Sequence, residues 1–431
     1  MSAEFTLCLV VVFLLAALGA PVAIAMIVGA IAYLAASGQD VALAGEQIIQ
    51  GVYNSFILLA VPLFIVAANI MNAGSISERL LNFCVAIVGH LRGGLGHVNV
   101  VSSLIFSGMS GSAVADAAGV GKVVIEMMTK DGRYKPGYAA ALTAASATIG
   151  PIIPPSIPMV IYALVSGASV GYLFIAGLVP GVLMGIVLMV MNRIQSTRLN
   201  AVMEKKVPLR ELPGITWRAF PTLMMPAILL YGIYGGVTTP TEAAAVAASY
   251  ALFLAAVVYR SISWAELVVV FRQSAVSSAS VGLVISAALI FNYIVATENI
   301  PTQIAGLLAT WDLSTFQFLM AVNVIFLLLG CLLDATTVIL VIVPLLVPAC
   351  RELGVDLIHF GVIAVVNLMI GLITPPYGVL LFVINGTTKI PLASIIKEVV
   401  PFIGVLLVAL VVMTAFPDLV LFLPRVFGYA G

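Results

Sequence analysis

The sequence predicts an all-α, polytopic membrane protein whose two halves have inverted topology. The prediction depends on composition, on apolar stretches and on one repeated motif. The 431 residues are 62% hydrophobic and only 8% charged, whereas a soluble protein carries about 25% charged residues. Such a chain has too little polar surface for a water-soluble globule of this size. Its 18 basic and 18 acidic residues cancel, which argues against nucleic acid as a partner because phosphate binding needs a basic face.

The apolar stretches predict the membrane spans. A helix that crosses a bilayer needs about 20 predominantly apolar residues, and about ten stretches approach this length. Two of these stretches lie within residues 5–36, where we expect two short spans rather than one bent helix. The predicted spans are 5–18, 21–36, 53–73, 137–167, 170–192, 217–234, 241–259, 272–296, 357–388 and 396–416.

The loop at 193–218 sets the predicted orientation of these spans. It carries six basic residues and two acidic ones, and loops rich in Lys and Arg stay in the cytoplasm. Counting spans from this loop places the loops at 38–52 and 235–241 outside. Neither of them contains Lys or Arg, which agrees with this orientation.

Two further apolar stretches, 95–130 and 315–351, are each interrupted by a small and polar tip, at 107–116 and 330–337. We expect each stretch to form a re-entrant hairpin, in which two half-helices enter and leave on the same side. Irregular backbone at membrane depth must be buried in protein or line a wet cavity. Mostly basic residues flank the first hairpin and mostly acidic ones the second, so we expect their bases on opposite sides of the membrane.

A motif with the pattern GxIxPP occurs at 150–155 and again at 371–376, an offset of 371 − 150 = 221 residues. The same offset carries the spans of the first half onto those of the second. Each half crosses the membrane an odd number of times, so the halves are inverted. We therefore predict a first repeat at 1–192, a cytoplasmic basic linker at 193–216 and a second repeat at 217–431. Inverted repeats with interrupted helices are typical of secondary transporters.

The double prolines of the motif predict that the helices at 137–167 and 357–388 are broken. Proline costs about 3 kcal/mol or more in a helix interior, because it removes an amide donor and clashes with the preceding turn. An unwound turn leaves carbonyl oxygens that suit a dehydrated Na⁺, and hydroxyl groups of the hairpin tips could complete each set of ligands. The alternative is that the prolines only kink packed helices and the serines only cap them. The candidate oxygens are the carbonyls of Gly150, Ile153, Gly371 and Thr374 and the hydroxyls of Ser107, Ser110, Ser112, Thr336 and Thr337.

Asp116 and Asp334 are acids at predicted membrane depth, where insertion costs about 2.5 to 3.5 kcal/mol. Each should therefore have a function or a partner. Asp334 fits the N-cap of a half-helix and equally an ion ligand, and the two roles are compatible. Lys122 and Glu126 are spaced to pair with each other. Half-helix N-termini at the tips favour an anionic substrate, and neither the tips nor the breaks contain arginine.

Five motifs carry a family resemblance: FSGMSGSAVADAAGVG (106–121), GPIIPPSIPMVIYA (150–163), GGVTTPTEAAA (235–245), GCLLDATTVILVIVPLLVPA (330–349) and GLITPPYGVLLF (371–382). In them the chain resembles the large membrane subunit, the M or DctM-like permease, of tripartite ATP-independent periplasmic (TRAP) transporters. The resemblance covers essentially the full length. It implies an elevator-type transporter in which the two hairpins and the two broken helices form the moving part.

The resemblance also implies the ligands. Na⁺ would be the coupling ion, bound once at each pairing of a tip with a break, and no organic cofactor is expected. The first Na⁺ site would comprise Ser107, Ser110, Gly150, Ile153 and Pro155, and the second Gly330, Asp334, Thr337, Gly371 and Thr374. For the substrate we expect Ser112, Asp116, Ser156, Thr336, Pro376 and Tyr377.

The partners follow from the same resemblance. It implies a bacterial inner-membrane importer of a small organic anion, such as a C4-dicarboxylate, sialic acid or a similar carboxylate. A periplasmic binding protein would deliver the anion. A small four-helix membrane subunit would assemble with the permease, and we expect it as a separate chain because no such segment precedes residue 1.

Two other functions remain as hypotheses. An autonomous Na⁺/dicarboxylate symporter of the same architecture would work without a binding protein. An intramembrane enzyme would use Asp116 and Asp334 as a carboxylate pair, but the sequence offers no nucleophile with a base and no metal cluster to support it. We therefore do not expect an enzyme.

Overall fold

The protein is an all-helical chain in the part that the structure, a computed structural model, describes. That part comprises residues 2–53, 55–73, 76–198, 206–208, 210–310 and 313–431, and it contains no strand. The predicted all-α class is therefore confirmed.

The chain begins with separate short helices. The first two pack against each other across a turn at 18–21, so the prediction of two helices within 5–36 is confirmed. The expectation of a loop at 38–52 is wrong, because an amphipathic helix occupies most of it. These first elements are α1 (Ala3–Ala17), α2 (Val22–Ala36), α3 (Ala42–Tyr53), α4 (Ala60–Ala73) and α5 (Ile76–Val88).

The rest of the first half contains the first hairpin and the first broken helix. The span predicted at 137–167 is interrupted at 148–156, as the double proline indicated. The second arm of the hairpin carries an additional interruption at Gly119, which the sequence analysis missed. The elements are α6 (Gly94–Ser110), α7 (Ala113–Ala118), α8 (Val120–Thr129), α9 (Pro136–Ala147), α10 (Ile157–Ser166) and α11 (Val170–Arg198).

The predicted basic linker at 193–216 is helical at both ends, since α11 continues to Arg198 and the next helix begins at Leu212. Residues 199–205 and 209 lie outside the described residues. The second half contains the second hairpin and the second broken helix. Its elements are α12 (Leu212–Tyr234), α13 (Pro240–Phe253), α14 (Trp264–Thr297), α15 (Ile300–Thr310), α16 (Thr315–Gly330), α17 (Ala335–Glu352), α18 (Leu357–Gly371), α19 (Val379–Thr388), α20 (Leu392–Ala415) and α21 (Pro417–Val426).

Two differences from the predicted spans have local causes. Helix α14 begins at Trp264 rather than near 272, because Ser263 and Glu266 form a capping box there. The short α21 follows Phe416 and was not predicted. Thr239 and Glu242 form a second capping box at the start of α13, which gives that glutamate a structural role.

The surface of the molecule is suited to lipid. Large apolar side chains such as Phe13, Phe56 and Trp217 are 70%, 77% and 76% exposed, and soluble proteins rarely expose apolar patches of this extent. By length and composition, six helices of the described chain can cross a membrane: Phe56–Ala73, Val170–Ser196, Pro240–Val258, Trp264–Thr297, Ala335–Glu352 and Leu392–Ala415. The chain is a multi-pass membrane protein.

The helices form two groups that meet at the hairpin tips. The outer group consists of α1 to α4 and α12 to α14, which pack on one another. The inner group consists of the two hairpins, the two broken helices, α11 and α20, and these helices also pack on one another. Helices α4 and α14 of the outer group touch the hairpins, so the tips lie between the two groups.

Candidate functional site

The first hairpin turns within two residues. Helix α6 ends at Ser110, and Gly111 adopts the left-handed conformation with φ of 60°. Ser112 then caps α7 by accepting a hydrogen bond from the Ala115 amide at 3.3 Å. The Ser107 hydroxyl donates to a backbone carbonyl one turn earlier. The side chains of Ser107 and Ser110 are fully buried.

The first break lies directly against this tip. A Cβ atom at Gly111 would lie 2.4 Å from the Pro155 carbonyl oxygen, and one at Gly150 would lie 3.3 Å from the Ser112 carbonyl carbon. Glycine at both positions therefore allows the two backbones to touch. In the described chain the carbonyls of Gly150, Ile153 and Pro155 accept no hydrogen bond. Tip and break thus meet around unpaired carbonyl oxygens in the first half.

Ser156 has a structural role beside this break. Its hydroxyl caps α10 by accepting from the Met159 amide at 3.2 Å, and it donates to the Pro151 carbonyl. It is fully buried. Its hydrogen bonds therefore hold the backbone of the break.

The second tip is capped by Asp334. Its carboxylate accepts a hydrogen bond from the Thr336 amide at 2.9 Å and begins α17. The prediction that Asp334 is an N-cap is confirmed, whereas its role as an ion ligand stays a prediction. Asp334 is exposed and Thr337 is buried.

The second break also touches its tip. A Cβ atom at Gly371 would lie 2.6 Å from the Gly330 carbonyl carbon, so the two glycine backbones are in direct contact. The Gly371 carbonyl accepts a hydrogen bond from the Thr374 amide at 3.0 Å, whereas the corresponding Gly150 carbonyl of the first half accepts none in the described chain. Pro376 and Tyr377 are exposed. The Pro154–Pro155 and Pro375–Pro376 peptide bonds are both cis.

A cavity of about 650 Å³ lies between the two tips. Asp334 carries the only charge on its walls within the described chain. The predicted residues Ser110, Ser112 and Thr336 also line it, whereas Asp116, Ser156, Pro376 and Tyr377 do not. The wall includes the starts of α10 and α17, at 157–158 and 335–336, and helix N-termini attract anions through free amides and the helix dipole.

The outer group supplies polar side chains that the sequence analysis missed. These are Asn69 and Asn72 of α4 and Gln273 and Ser277 of α14. Asn69 donates to the Ser274 hydroxyl at 2.9 Å and ties α4 to α14. The sequence did contain a signal for them, because each places an amide or a hydroxyl inside an otherwise apolar span. Such polar groups are costly in lipid and are often functional.

Asp116 is enclosed in the first hairpin. It is 1% exposed, and neither of its carboxylate oxygens has a hydrogen-bond partner among the described residues. Lys122 and Glu126 approach each other at 4.0 Å, as predicted. The two acids at the tips are therefore in different surroundings, and only Asp334 reaches the cavity. Throughout the described chain, no three His, Cys, Asp or Glu side chains group into a metal centre.

The fold and the site together define a membrane transport protein. A solved structure of similar fold is that of the YdaH transporter of Alcanivorax borkumensis. It has a TM-score of 0.62 and 15% sequence identity, and the match covers 86% of each chain. This similarity concerns the fold alone.

The family follows from sequence comparison. Residues 9–419 match the family model described as "Tripartite ATP-independent periplasmic transporter, DctM component", and the chain belongs to this family. It is 40% identical to the sialic acid TRAP transporter large permease protein SiaM of Vibrio cholerae, over 95% of this chain and 96% of the relative. It is also 40% identical to the C4-dicarboxylate TRAP transporter large permease protein DctM of Pseudomonas aeruginosa, over 86% and 87%.

A third relative, at 38% identity over 94% of this chain and 95% of its own length, is the 2,3-diketo-L-gulonate TRAP transporter large permease protein YiaN of Escherichia coli. These relatives are permease subunits. The chain is accordingly a TRAP transporter large permease subunit and not an enzyme, as the sequence analysis predicted.

Proposed function

We propose that this chain is the permease of a Na⁺-coupled symporter that imports a small organic anion across a bacterial inner membrane. The observation that supports this proposal most directly is the cavity between two hairpin tips, each of which touches a broken helix. Secondary transporters built from inverted repeats bind substrate and coupling ions at such interruptions near the midplane.

The chemistry of the cavity favours an anion with several hydroxyl or carboxyl groups. The N-termini of α10 and α17 direct the positive ends of two helix dipoles at the cavity. Ser112 and Thr336 offer hydroxyls from the tips, and Asn69 and Gln273 offer amides from the outer group. Because no Lys or Arg lines the cavity within the described chain, we infer that Na⁺ supplies the remaining positive charge.

Na⁺ is assigned to the two contacts between a tip and a break. In the first, the tip that carries Ser107 and Ser110 touches the break that carries the unpaired carbonyls of Gly150, Ile153 and Pro155. In the second, Asp334 and Thr337 begin α17 beside the contact between Gly330 and Gly371. Oxygen atoms alone suit an alkali cation, so neither site needs a histidine or a cysteine.

The transport motion that we propose is an elevator movement of the inner group against the outer group. Asn69, Asn72, Gln273 and Ser277 would then form the fixed wall of the substrate site. The tips and the breaks would carry the ions and the anion together.

Two partners complete the proposal. The family description names a tripartite and periplasmic transporter, and we propose a small membrane subunit and a periplasmic binding protein that delivers the anion. Exposed apolar side chains of the outer group, such as Trp217 and Trp264, provide surface for lipid and for such a subunit.

Uptake into proteoliposomes tests this function. The chain and its small subunit are reconstituted and offered three labelled acids taken from the names of the relatives: a C4-dicarboxylate, sialic acid and 2,3-diketo-L-gulonate. We expect one of the acids to be taken up, and only when an inward Na⁺ gradient and the binding protein are both present. A choline gradient should give no uptake. Uptake without a binding protein would indicate an autonomous symporter. Na⁺-independent uptake would contradict the coupling.

A further inference from the structure

A groove away from the central cavity is lined by basic side chains. It has a volume of about 450 Å³ and lies between residues 90–97, at the entry to the first hairpin, and the end of α11. Arg92 belongs to the first of these segments and Arg193 to the second. Two histidines also line the groove, and no acid lines it within the described chain. Such a groove attracts an anion.

Hydrogen bonds hold the two arginine-bearing segments together. The Asn192 amide donates to the Gly93 carbonyl at 3.3 Å, and a Cβ atom at Gly93 would lie 2.6 Å from the same amide nitrogen. His97 donates from its Nε2 atom to the Arg92 carbonyl at 2.7 Å, since a carbonyl oxygen only accepts. These contacts fix the backbone at Arg92 and next to Arg193, so both charges are kept at one groove.

An apolar stripe of α11 leads away from this groove. Val182, Ile186 and Val190 are 48%, 52% and 54% exposed, and steps of three or four residues place them on the same helix face as Arg193. From Val182 to Arg193 the helix rises about 16 Å, which is about half of the 30 Å thickness of a hydrocarbon core. The stripe therefore has the length of one leaflet, with the basic groove at its end.

We propose that this groove binds the headgroup of an anionic phospholipid and that an acyl chain of the lipid lies along the α11 stripe. Guanidinium groups suit phosphate oxygens, so Arg92 and Arg193 contact the headgroup phosphate. A soluble phosphate would use the arginines but not the stripe, and the combination therefore favours a lipid.

The place of the groove in the membrane agrees with this ligand. Arg193 is the first residue of the basic segment at 193–216, which the sequence predicts to be cytoplasmic. Basic pockets between helices on that side of a membrane bind anionic headgroups. The bound lipid ties the entry of the first hairpin to α11, and it needs no Na⁺.

Lipid binding to the full-length permease tests the site. The purified protein is stripped of lipid and titrated with phosphatidylglycerol or with phosphatidylcholine of the same acyl chains, and native mass spectrometry measures the bound lipid. We expect the wild type to bind one phosphatidylglycerol more tightly than phosphatidylcholine. R92Q and R193Q should each weaken this binding about fivefold, whereas R92K/R193K keeps both charges and should retain most of it. Both arginines are exposed, so the variants should fold.

The control is R351Q, which removes an exposed arginine at the base of the second hairpin and should keep the wild-type preference. Equal affinity of the wild type for the two lipids overturns the anionic headgroup. An unchanged preference in both R92Q and R193Q overturns its assignment to this groove.

Melting temperatures separate a lipid from other occupants. Phosphatidylglycerol should stabilise the wild type more than R92Q/R193Q, because a ligand of the folded state raises its stability, and inorganic phosphate at constant ionic strength should stabilise neither. Stabilisation by inorganic phosphate that the double variant loses would assign the groove to a soluble anion and overturn the lipid. Loss of the small membrane subunit from R92Q/R193Q, with lipid binding unchanged, would assign it to a protein contact and also overturn the lipid.

Discussion

The two hairpin tips have the same order of elements, but they differ in how far they open to the cavity. In the first, Ser107 and Ser110 are fully buried, and Gly111 turns the chain in a left-handed conformation. In the second, Asp334 is exposed to the cavity, and the turn at 331–334 contains no residue with positive φ. The first tip is thus closed over the unpaired carbonyl oxygens of the adjacent break, whereas the second tip presents the Asp334 carboxylate to the cavity.

The acids of the two tips show the consequence of this difference. Asp334 is itself the N-cap of α17, so its carboxylate is engaged by a backbone amide at the cavity. Asp116 lies four residues beyond the N-cap Ser112, one turn inside α7, where its side chain points into the packing. The position of an acid relative to the cap therefore decides whether its side chain faces the cavity or is buried in the hairpin.

The variant G111A tests the close packing of the first tip on its break most directly. An added Cβ would lie 2.4 Å from the Pro155 carbonyl oxygen, and a left-handed backbone costs about 1–2 kcal/mol for a residue other than glycine. We expect nearly complete loss of uptake and a lower melting temperature. The control is G386A in α19, where a Cβ would meet nothing within 4 Å. Wild-type uptake by G111A would show that the close contact is not needed.

The open second tip is tested by comparing D334A with D334N. Loss of an N-cap costs about 1 kcal/mol, so D334A should unfold at a lower temperature, whereas asparagine still caps and D334N should not. Both remove the charge, and we expect both to raise the Na⁺ concentration for half-maximal uptake about tenfold, as for lost ligands at other metal sites. An unchanged Na⁺ activation curve in both variants would remove Asp334 from the second ion site.

The fixed wall of the cavity should show a smaller effect. Q273A removes one amide that faces the space between the tips. Because a neutral hydrogen bond contributes about 0.5–1.5 kcal/mol, we expect the KM of uptake to rise about two- to tenfold, with the Na⁺ activation curve unchanged. Q303A, on α15 outside the cavity lining, serves as the control. A shifted Na⁺ curve in Q273A would mean that Gln273 belongs to an ion site instead.

The smallest effect is expected far from both tips, at Glu298. The Ser2 and Tyr33 hydroxyls donate to its carboxylate at 2.7 and 2.9 Å, and the hydrogen bond from Ser2 is the main reason that the pKa of Glu298 is below its ordinary value of 4.5. A lowered pKa stabilises the folded state above the ordinary value, and the gain is lost as the pH falls through the folded pKa.

We therefore expect E298Q to lower stability at pH 7 by less than about 1 kcal/mol, because Glu298 is partly exposed and water screens its interactions. The difference from wild type should shrink as the pH falls below 4.5. Melting temperatures measured between neutral and acidic pH check this. A difference that grows on acidification would contradict the assigned sign.

The sequence predicted the framework of this molecule better than its cavity. Apolar length, double prolines and polar tips indicated the hairpins and the broken helices, because these signals are local. The amphipathic α3 was missed because its apolar residues lie on one face only and do not form a continuous run. Asn69 and Gln273 could not be assigned to the cavity from the sequence, because their positions at its wall depend on how α4 packs on α14. Asp116 was assigned to substrate because the sequence did not show at which residue the first tip turns.

The central claim is that the anion binds between the two tips and that Na⁺ is needed for it. Thiol labelling of S112C and T336C tests this most directly, in a background without the native cysteines and with the acid identified by uptake. D131C at an exposed position serves as the control. We predict that acid with Na⁺ slows labelling at both tip positions, that acid with choline slows neither, and that the control is unaffected. Equal labelling at both tips with and without acid in Na⁺ would contradict the account.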